Sequence, residues 1–520
     1  MSEKNVLAID FGTQSVRAII FDKTGEIKGK CKVAFEPYFS LANGFAEQHP
    51  EYYFENLVRA IKGVKKENPE EFKKVAGVGV TTIRDTITFV DKDLKPLRPF
   101  LLWLDERECK RVEEAFPLSY RILFKLLGIY EMVMMQRRVT KLNWVNENEP
   151  EIWNKTHKII QLSGYITYML TGNLVDSVAS QIGHLPFDYK TKTWQNEKSL
   201  TRFLVDCTSA MMVDLKKPGE VLGYITSEAA KATGLAEGLP VIACGSDKGC
   251  ETFGTGTLKD DAASLSFGTT ATVQLMTDKY VEPQTFLPAY PAVVEGKYNP
   301  EGQIFRGYWM VTWFKNQFGS EEVRRAAETG RSAEELLDEL LDKAPPGCEG
   351  LVLQPYWSPG IKTPFAKGSI VGFSDVHTKE HLYRAIIEGI GLGLYDNLKS
   401  LEKRSGHNVK RVMVSGGGSV SDRVCQITAD ISGLPVQKIQ TYETCSLGAA
   451  MLTYIGLNEF KSPEDAIANM VHIGKTYQPD MKVHELYMDL YNMVFKKVFP
   501  CVKNVCKGVR EFNKKYPVKK

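Results

Sequence analysis

Asp247 closes the run Val241-Ile242-Ala243-Cys244-Gly245-Ser246, whose small and apolar residues read as a buried strand with Gly245 allowing a sharp turn. A carboxylate delivered past the carboxyl edge of such a strand stands where open α/β sheets place their chemistry. The same Gly-Ser-Asp would also serve as an N-cap for the helix that follows. A second acid, Asp10, ends the strand Val6-Leu7-Ala8-Ile9 and leads through Phe11 into Gly12-Thr13-Gln14-Ser15, a tight turn before the next strand. Backbone N–H groups and hydroxyls on such a turn suit phosphate oxygens, and Asp10 beside them is placed to hold a hydrated magnesium ion.

The turn recurs. Leu265-Ser266-Phe267-Gly268-Thr269-Thr270-Ala271 repeats the pattern of Ile9 to Ser15 about half the chain later, with Ser266 in place of the acid. Two similar halves, each opening with a phosphate-type turn, would face each other across a cleft. A third cluster, Gly416-Gly417-Gly418-Ser419, follows the strand-like Val412-Met413-Val414-Ser415 and precedes a helical run from Arg423 to Ser432. Bare backbone before a helix N-terminus suits a flat base or ribose with anionic neighbours. Arg84, Asp85, Trp103 and Asp105, with Arg107 nearby, have the composition of a pocket for a polyhydroxylated ligand, in which charged groups fork hydrogen bonds and an aromatic face covers C–H groups.

The elements expected to position these residues alternate between strand and helix. Val75 to Thr82 and Pro99 to Asp105 read as strands, Glu108 to Leu127 and Glu149 to Leu170 as helices, the latter ended by Thr171-Gly172-Asn173. Asp176, Ser177, Ser180 and Gln181 follow as polar loop residues, and Cys445 to Met451 reads as a small-residue helix lying close against a sheet. A chain of 520 residues with 43% hydrophobic content exceeds one core, so two domains are expected, 1–248 and 249–520, with a hinge among the glycines Gly249 to Gly256. A formal charge of +3 spread along the chain carries no nucleic-acid or membrane footprint. The basic tail, Lys503, Lys507, Arg510, Lys514, Lys515, Lys519 and Lys520, reads as a solvated helix end. Ten cysteines without CxxC or zinc-type spacing, and no signal peptide before the first strand, suggest reduced thiols in the cytoplasm.

In order along the chain, Asp10-Phe11-Gly12-Thr13, Trp103, Lys141-Leu142-Asn143-Trp144, Gly245-Ser246-Asp247, Ser266-Phe267-Gly268-Thr269-Thr270, Gly368 to Gly372, His381 to Glu388, Gly416-Gly417-Gly418 and Gly448-Ala449-Ala450 resemble the FGGY carbohydrate kinases, a branch of the actin-like, hexokinase and heat-shock-ATPase superfamily. The resemblance implies an α/β chain of two ribonuclease-H-like (actin-like ATPase) domains with a central interdomain cleft in which ATP and a sugar meet. By the same resemblance Asp247 is the base that takes the proton of the sugar hydroxyl, and Asp10 serves magnesium. Gly12, Thr13 and Gln14 with Gly268, Thr269 and Thr270 cradle phosphates, Gly417 and Gly418 lie against the adenosine, and Arg84, Asp85 and Trp103 hold the sugar. Chemistry agrees, because a hydroxyl is a poor nucleophile at neutral pH and phosphoryl transfer needs a carboxylate within reach.

The expected partners are ATP, magnesium and a small sugar or polyol, with no nucleic acid and no membrane; a homodimer is left open. Arg84-Asp85 resembles the Arg-Glu pair of glycerol and autoinducer-2 kinases and differs from the Met-His pair of xylulokinases. Ile83 stands where glycerol kinases carry Gln, and Gln136-Arg137-Arg138 where they place an aromatic residue, so a larger or more polar ligand than glycerol is suggested. A catalytically silent actin-like sensor is the alternative, disfavoured because a sensor needs the cleft but not the base.

Overall fold

Asn5–Phe11 and Val75–Thr82 are buried along almost their whole length and pair in parallel, as apolar strands covered on both faces must. Around them, in a computed structural model that describes residues 4–196, 199, 203–358, 360 and 365–516, lies a six-stranded sheet. Its order is Val221–Tyr224, Pro240–Ser246, Val75–Thr82, Asn5–Phe11, Ser15–Phe21, Ile27–Ala34. The last three run antiparallel to one another, Pro240–Ser246 is parallel to Val75–Thr82, and Val221–Tyr224 closes the sheet antiparallel.

A second six-stranded sheet has the same plan. Ala262–Phe267, Ala271–Gln274 and Glu301–Ile304 form the antiparallel trio, Arg411–Ser415 and Val436–Ile439 add in parallel, and Ile473–Tyr477 closes antiparallel. The sequence repeat is thus a repeat of topology, with the turn after Phe11 and the turn after Phe267 at matching places. Each sheet has the ribonuclease-H-like arrangement expected of its half. In the second, the 27-residue helix Lys379–Ser405 runs through the core; it opens with a capping box in which His381 answers Thr378. Inside that helix Arg384 and Glu388 pair at 2.7 Å, and Tyr487 donates to Glu388 at 2.7 Å, so the His381-to-Glu388 stretch is a structural clasp.

The chain divides into two compact units, but not at 248/249. The first holds residues 1–256, 288–299 and 444–471; the second holds 257–287, 300–443 and 472–520. The reason is a helix crossing within the first unit. Asp247–Gly254 and Thr444–Gly456 meet backbone to backbone: a Cβ on Gly254 would lie 1.9 Å from the Thr444 carbonyl oxygen, and one on Gly448 2.0 Å from that of Cys250. Gly249 and Gly254 therefore serve packing inside a helix, while Gly256, the last glycine of the expected hinge, lies beyond that helix at φ 79°, where the chain passes into the second unit.

Other expectations are corrected locally. The helix read over Glu149 to Leu170 is interrupted by the strand Lys158–Gln161, leaving Pro150–Lys155 and Leu162–Thr171, the latter capped by left-handed Gly172. Glu108 to Leu127 reduces to a 3-10 turn, Glu113–Ala115, and the helix Leu118–Leu126, because Pro117 starts a new helix. Only Phe100–Leu101 of Pro99 to Asp105 is strand, in a separate four-stranded sheet with Glu47–Gln48, Ile87–Val90 and Lys158–Gln161. The basic tail is an exposed helix, Lys496–Lys515; Lys519 and Lys520 lie outside the described residues. Among the described residues no helix is long and apolar enough to cross a membrane.

Because both crossing glycines face backbone, which cannot swing aside, Gly448→Val is expected to destabilise the first unit by about 2–3 kcal/mol through overpacking. A urea titration should show a lowered midpoint; a midpoint equal to the parent's would mean that the crossing relaxes freely.

Candidate active site

Asp247 is free of the capping duty that its sequence context allowed. Ser246 is the N-cap, its Oγ accepting from Gly249 N at 3.2 Å, and Asp247 is the first helical residue. The chain can turn there because Gly245 has no side chain; a Cβ would lie 2.5 Å from Val293 and 2.8 Å from Ala179. The Asp247 carboxylate accepts from Lys248 N at 2.8 Å and faces Arg84 Nε at 3.8 Å, while Lys248 Nζ is drawn to Glu251 at 2.6 Å. Burial raises the Asp247 carboxyl above its ordinary range, with Arg84 and Lys248 opposing the rise, yet 28% of the side chain is accessible. A carboxylate that is poorly solvated but reachable is suited to accept a proton.

Asp10 sits in register opposite Thr81 on one side and Arg17 on the other. Arg17 pairs with Asp10 Oδ2 at 2.9 Å, and the Cys445 thiol lies 3.5 Å from Oδ1. The turn beyond closes through Gly12 N donating to Ser15 O at 2.9 Å, leaving Thr13 and Gln14 exposed. Trp103 Nε1 donates to Thr13 Oγ1 at 3.1 Å, so the indole is joined to the phosphate-type turn. Among the described residues no cluster of three or more His, Cys, Asp or Glu could hold a metal. A single carboxylate at a phosphate turn fits magnesium, which keeps most of its waters and takes the rest of its ligands from phosphate.

Arg84 lies over the Tyr290 ring at 5.3 Å, and Tyr189 packs edge-on against Tyr290 at 5.7 Å. Asp85, held at φ 50°, is gripped by Lys141 Nζ at 3.0 Å and by His184, whose Nδ1 is 3.3 Å from Oδ2. Sequence reasoning missed His184, Tyr189 and Tyr290 and quoted Lys141 only inside a motif; the sole signal was Gly183 beside a titratable residue. Asp105 and Arg107 belong to no pocket. They are buried, pairing with each other at 2.7 Å and, through Arg107, with Glu47 at 2.6 Å, and Asp105 also accepts from Ala46 N.

In the second unit the two glycine turns lean on one segment. Tyr308 N donates to Gly268 O and Thr270 Oγ1 to Phe305 O, both at 3.1 Å, and a Cβ on Gly418 would lie 2.7 Å from the Tyr308 ring. Gly416 turns the chain at φ 80°, and Gly417 is exposed with open space where a Cβ would be. Thr269 is exposed on the first turn. Gly268, Thr269 and Thr270 are thus brought together with Gly417 and Gly418 on one unit, and Asp10, Gly12, Thr13, Gln14, Arg84, Asp85, Trp103 and Asp247 on the other.

The model of the N-terminal domain of the FGGY family of carbohydrate kinases matches residues 5–254, and that of the C-terminal domain residues 263–457. The chain belongs to the FGGY family of carbohydrate kinases. It is 28% identical over 500 residues to the uncharacterized sugar kinase YgcE of Escherichia coli (strain K12), covering 95% of this chain and 93% of that one. It is 28% identical over 514 residues to a xylulose kinase of Lactococcus lactis, covering 98% and 99%. The structure of ligand-bound xylulose kinase from Lactobacillus acidophilus superposes with a TM-score of 0.81 at 22% identity, covering 96% and 98%, and so shares the fold. This kinase is a phosphotransferase with an alcohol acceptor and uses ATP.

Another acid, buried, is tied to the strand that ends before Asp247. Asp176 is fully enclosed, its Oδ2 accepting from Ser163 Oγ at 2.6 Å and Gln181 Nε2 at 2.8 Å, its Oδ1 from Ser177 N at 2.7 Å. Ser177 Oγ in turn donates at 2.5 Å to Cys244 O, three residues before Asp247. Asp176 and Ser177 therefore lie in the short strand Val175–Ser177 and Ser180 in the 3-10 turn after it, where the sequence suggested a polar loop. Burial pushes the Asp176 carboxyl up to about 6, its hydrogen bonds holding it from rising further.

The sign follows from this raised value. Below the unfolded value near 3.8 both states are protonated and the contribution is full; it is lost as pH rises through about 6. The unfolding free energy of the parent should therefore fall relative to Asp176→Asn by about 2 kcal/mol between pH 4 and pH 7. Paired denaturation curves at several pH values measure it, and a constant difference would mean that Asp176 titrates in its ordinary range.

Proposed function

We propose that Asp247 is the general base of this kinase, taking the proton of the acceptor hydroxyl as it attacks the γ-phosphoryl group of ATP. The observation that carries the reading is that Ser246 caps the helix, leaving the Asp247 carboxylate accessible beside Arg84 with its proton affinity raised by burial. Arg84 keeps the carboxylate ionised against that burial and orients it. The acceptor is a small polyhydroxylated molecule, larger or more polar than glycerol, held on the Arg84 and Asp85 side and approached by Trp103.

The exposed backbone and hydroxyls at Gly12, Thr13 and Gln14, and at Gly268, Thr269 and Thr270, are assigned to the phosphates, and Gly417 and Gly418 to the adenosine. Gly417 offers bare backbone to a flat ligand, whereas Gly418 acts through Tyr308, against which only a glycine fits. Asp10 is the residue that would hold magnesium through its water shell, with Arg17 orienting the carboxylate. When bound, such an ion spreads the negative charge of the phosphoryl oxygens.

Asp247→Asn keeps the shape but cannot accept the proton, so turnover should fall roughly a hundredfold to ten-thousandfold while ATP still binds. ADP release across a panel of polyols, ketoses and aldonates reads the first, and calorimetric ATP titration the second; near-normal turnover would reduce Asp247 to a helix residue. Asp10→Ala should raise several-fold the magnesium concentration needed for tight ATP binding, roughly the loss of one carboxylate contact. A magnesium titration that superposes on the parent's would remove Asp10 from that role.

A further inference from the structure

Asp85 is held more completely than a residue waiting for a ligand needs to be. Its N–H donates to Ile182 O at 3.1 Å, and its own carbonyl accepts from Lys141 Nζ at 2.6 Å. Its Oδ2 accepts from the same Nζ at 3.0 Å and from His184 Nδ1 at 3.3 Å, and its Oδ1 from His184 N at 3.3 Å. The clamp is closed by Gly183, where a Cβ would come 2.4 Å from Asp85 Oδ1. Burial alone would raise the Asp85 carboxyl, but the Lys141 ammonium, itself only 3% exposed, and His184 outweigh it and hold the carboxyl well below the usual range. Asp85 is thus a fixed anion with its oxygens spent, and 17% of its side chain is accessible.

The imidazole has the opposite character. A carboxylate only accepts, so the Nδ1 that faces Asp85 carries the proton and Nε2 keeps its lone pair in the neutral ring. Among the described residues Nε2 has no hydrogen-bond partner, and 33% of the side chain is accessible. A chain of contacts runs from the residue before this histidine to Asp247: Tyr189 OH donates to Gly183 O at 2.9 Å, Tyr189 packs on Tyr290, Tyr290 underlies Arg84, and Arg84 faces Asp247.

We infer that His184, oriented by Asp85 and anchored through it by Lys141, is a specificity-determining residue whose Nε2 accepts a hydrogen bond from a non-reacting hydroxyl of the acceptor. The inference rests on the kinase reading and narrows it. Each cation of this wall already faces a carboxylate, Arg84 against Asp247 and Lys141 against Asp85, so neither is left to pair with a carboxylate on the acceptor. The acceptor class is therefore a neutral polyol or ketose, with an aldonate disfavoured. Lys141 is a positioning residue, since it is enclosed and acts only through Asp85.

The test is steady-state kinetics with ATP on D-xylulose, glycerol and D-gluconate, using the full chain. Wild type should use the neutral, larger acceptor D-xylulose with kcat/KM at least about tenfold above that for gluconate. His184→Ala should raise the KM for that neutral acceptor about tenfold, leaving the KM for ATP unchanged and kcat within about threefold. His184→Asn, which keeps an acceptor oxygen, should recover part of the loss, a rescue that a merely structural role would not give. Preference for gluconate, or a His184→Ala enzyme with the parent's KM, overturns the inference while leaving the kinase reading intact. That reading has its own variant, Asp247→Asn, whose loss is in kcat and falls on every acceptor alike.

Discussion

The first unit depends on two peptide backbones approaching closer than any side chain permits. Helices Asp247–Gly254 and Thr444–Gly456 touch where Gly254 meets Thr444 and Gly448 meets Cys250. Three consequences follow from that single contact. The helix that begins at Asp247 is pinned along its length, so the direction in which the carboxylate leaves the strand is fixed. Cys445, one residue into the partner helix, is brought against Asp10 and Thr81. And the partner helix also lies on the sheet, where Thr453 and Ala449 crowd Gly79 of the central strand. Close helix packing of this kind forfeits side-chain burial at the crossing, so it is worth keeping only where position matters more than packing energy.

Much of this was legible in the sequence because its signals are local. A Gly-Thr turn between two apolar runs reads as a hairpin whatever surrounds it, and the second copy at Gly268 reads the same way; both are antiparallel pairs in the structure. Gly172 ends its helix in the left-handed conformation, as the Thr-Gly-Asn run after the apolar period indicates. The strand Lys158–Gln161 was hidden for a converse reason: four residues with two central isoleucines cannot be told from helix by period, and only pairing with Ile87–Val90 decides it.

What sequence could not supply were partners distant along the chain. Asp105 and Arg107 have the right chemistry for a ligand pocket, and nothing near them says otherwise. Glu47 and the Ala46 N–H turn them inward, where Arg107 also lies between the rings of Phe45 and Trp144 at 4.2 and 4.4 Å. This guanidinium spends Nε and one terminal nitrogen on Asp105 and Glu47 and its faces on two aromatic rings, and its role becomes holding the loop that carries Trp103. His184 escaped notice because an isolated histidine carries no pattern, and its meaning depends on Asp85.

Five aspartates of the first unit show how environment divides one residue type among tasks. Asp105 is spent inside an ion-paired cluster and supports a loop. Asp176 is enclosed by neutral donors, so its charge is costly and its proton is held to about 6. Asp85 is enclosed too, but by Lys141 and His184, and remains an anion. Asp10 shares one oxygen with Arg17 beside a phosphate-type turn. Of the five, Asp247 combines desolvation with cations that stand off it, Arg84 at 3.8 Å and Lys248 drawn to Glu251, and an open edge; those three conditions are what a proton acceptor requires: reluctance to stay charged, enough field to be charged when the acceptor arrives, and room for that acceptor to reach it. The differences follow from what stands around each carboxylate, which is why Asp247 can be separated from its four neighbours by geometry even though the sequence writes them all with the same letter.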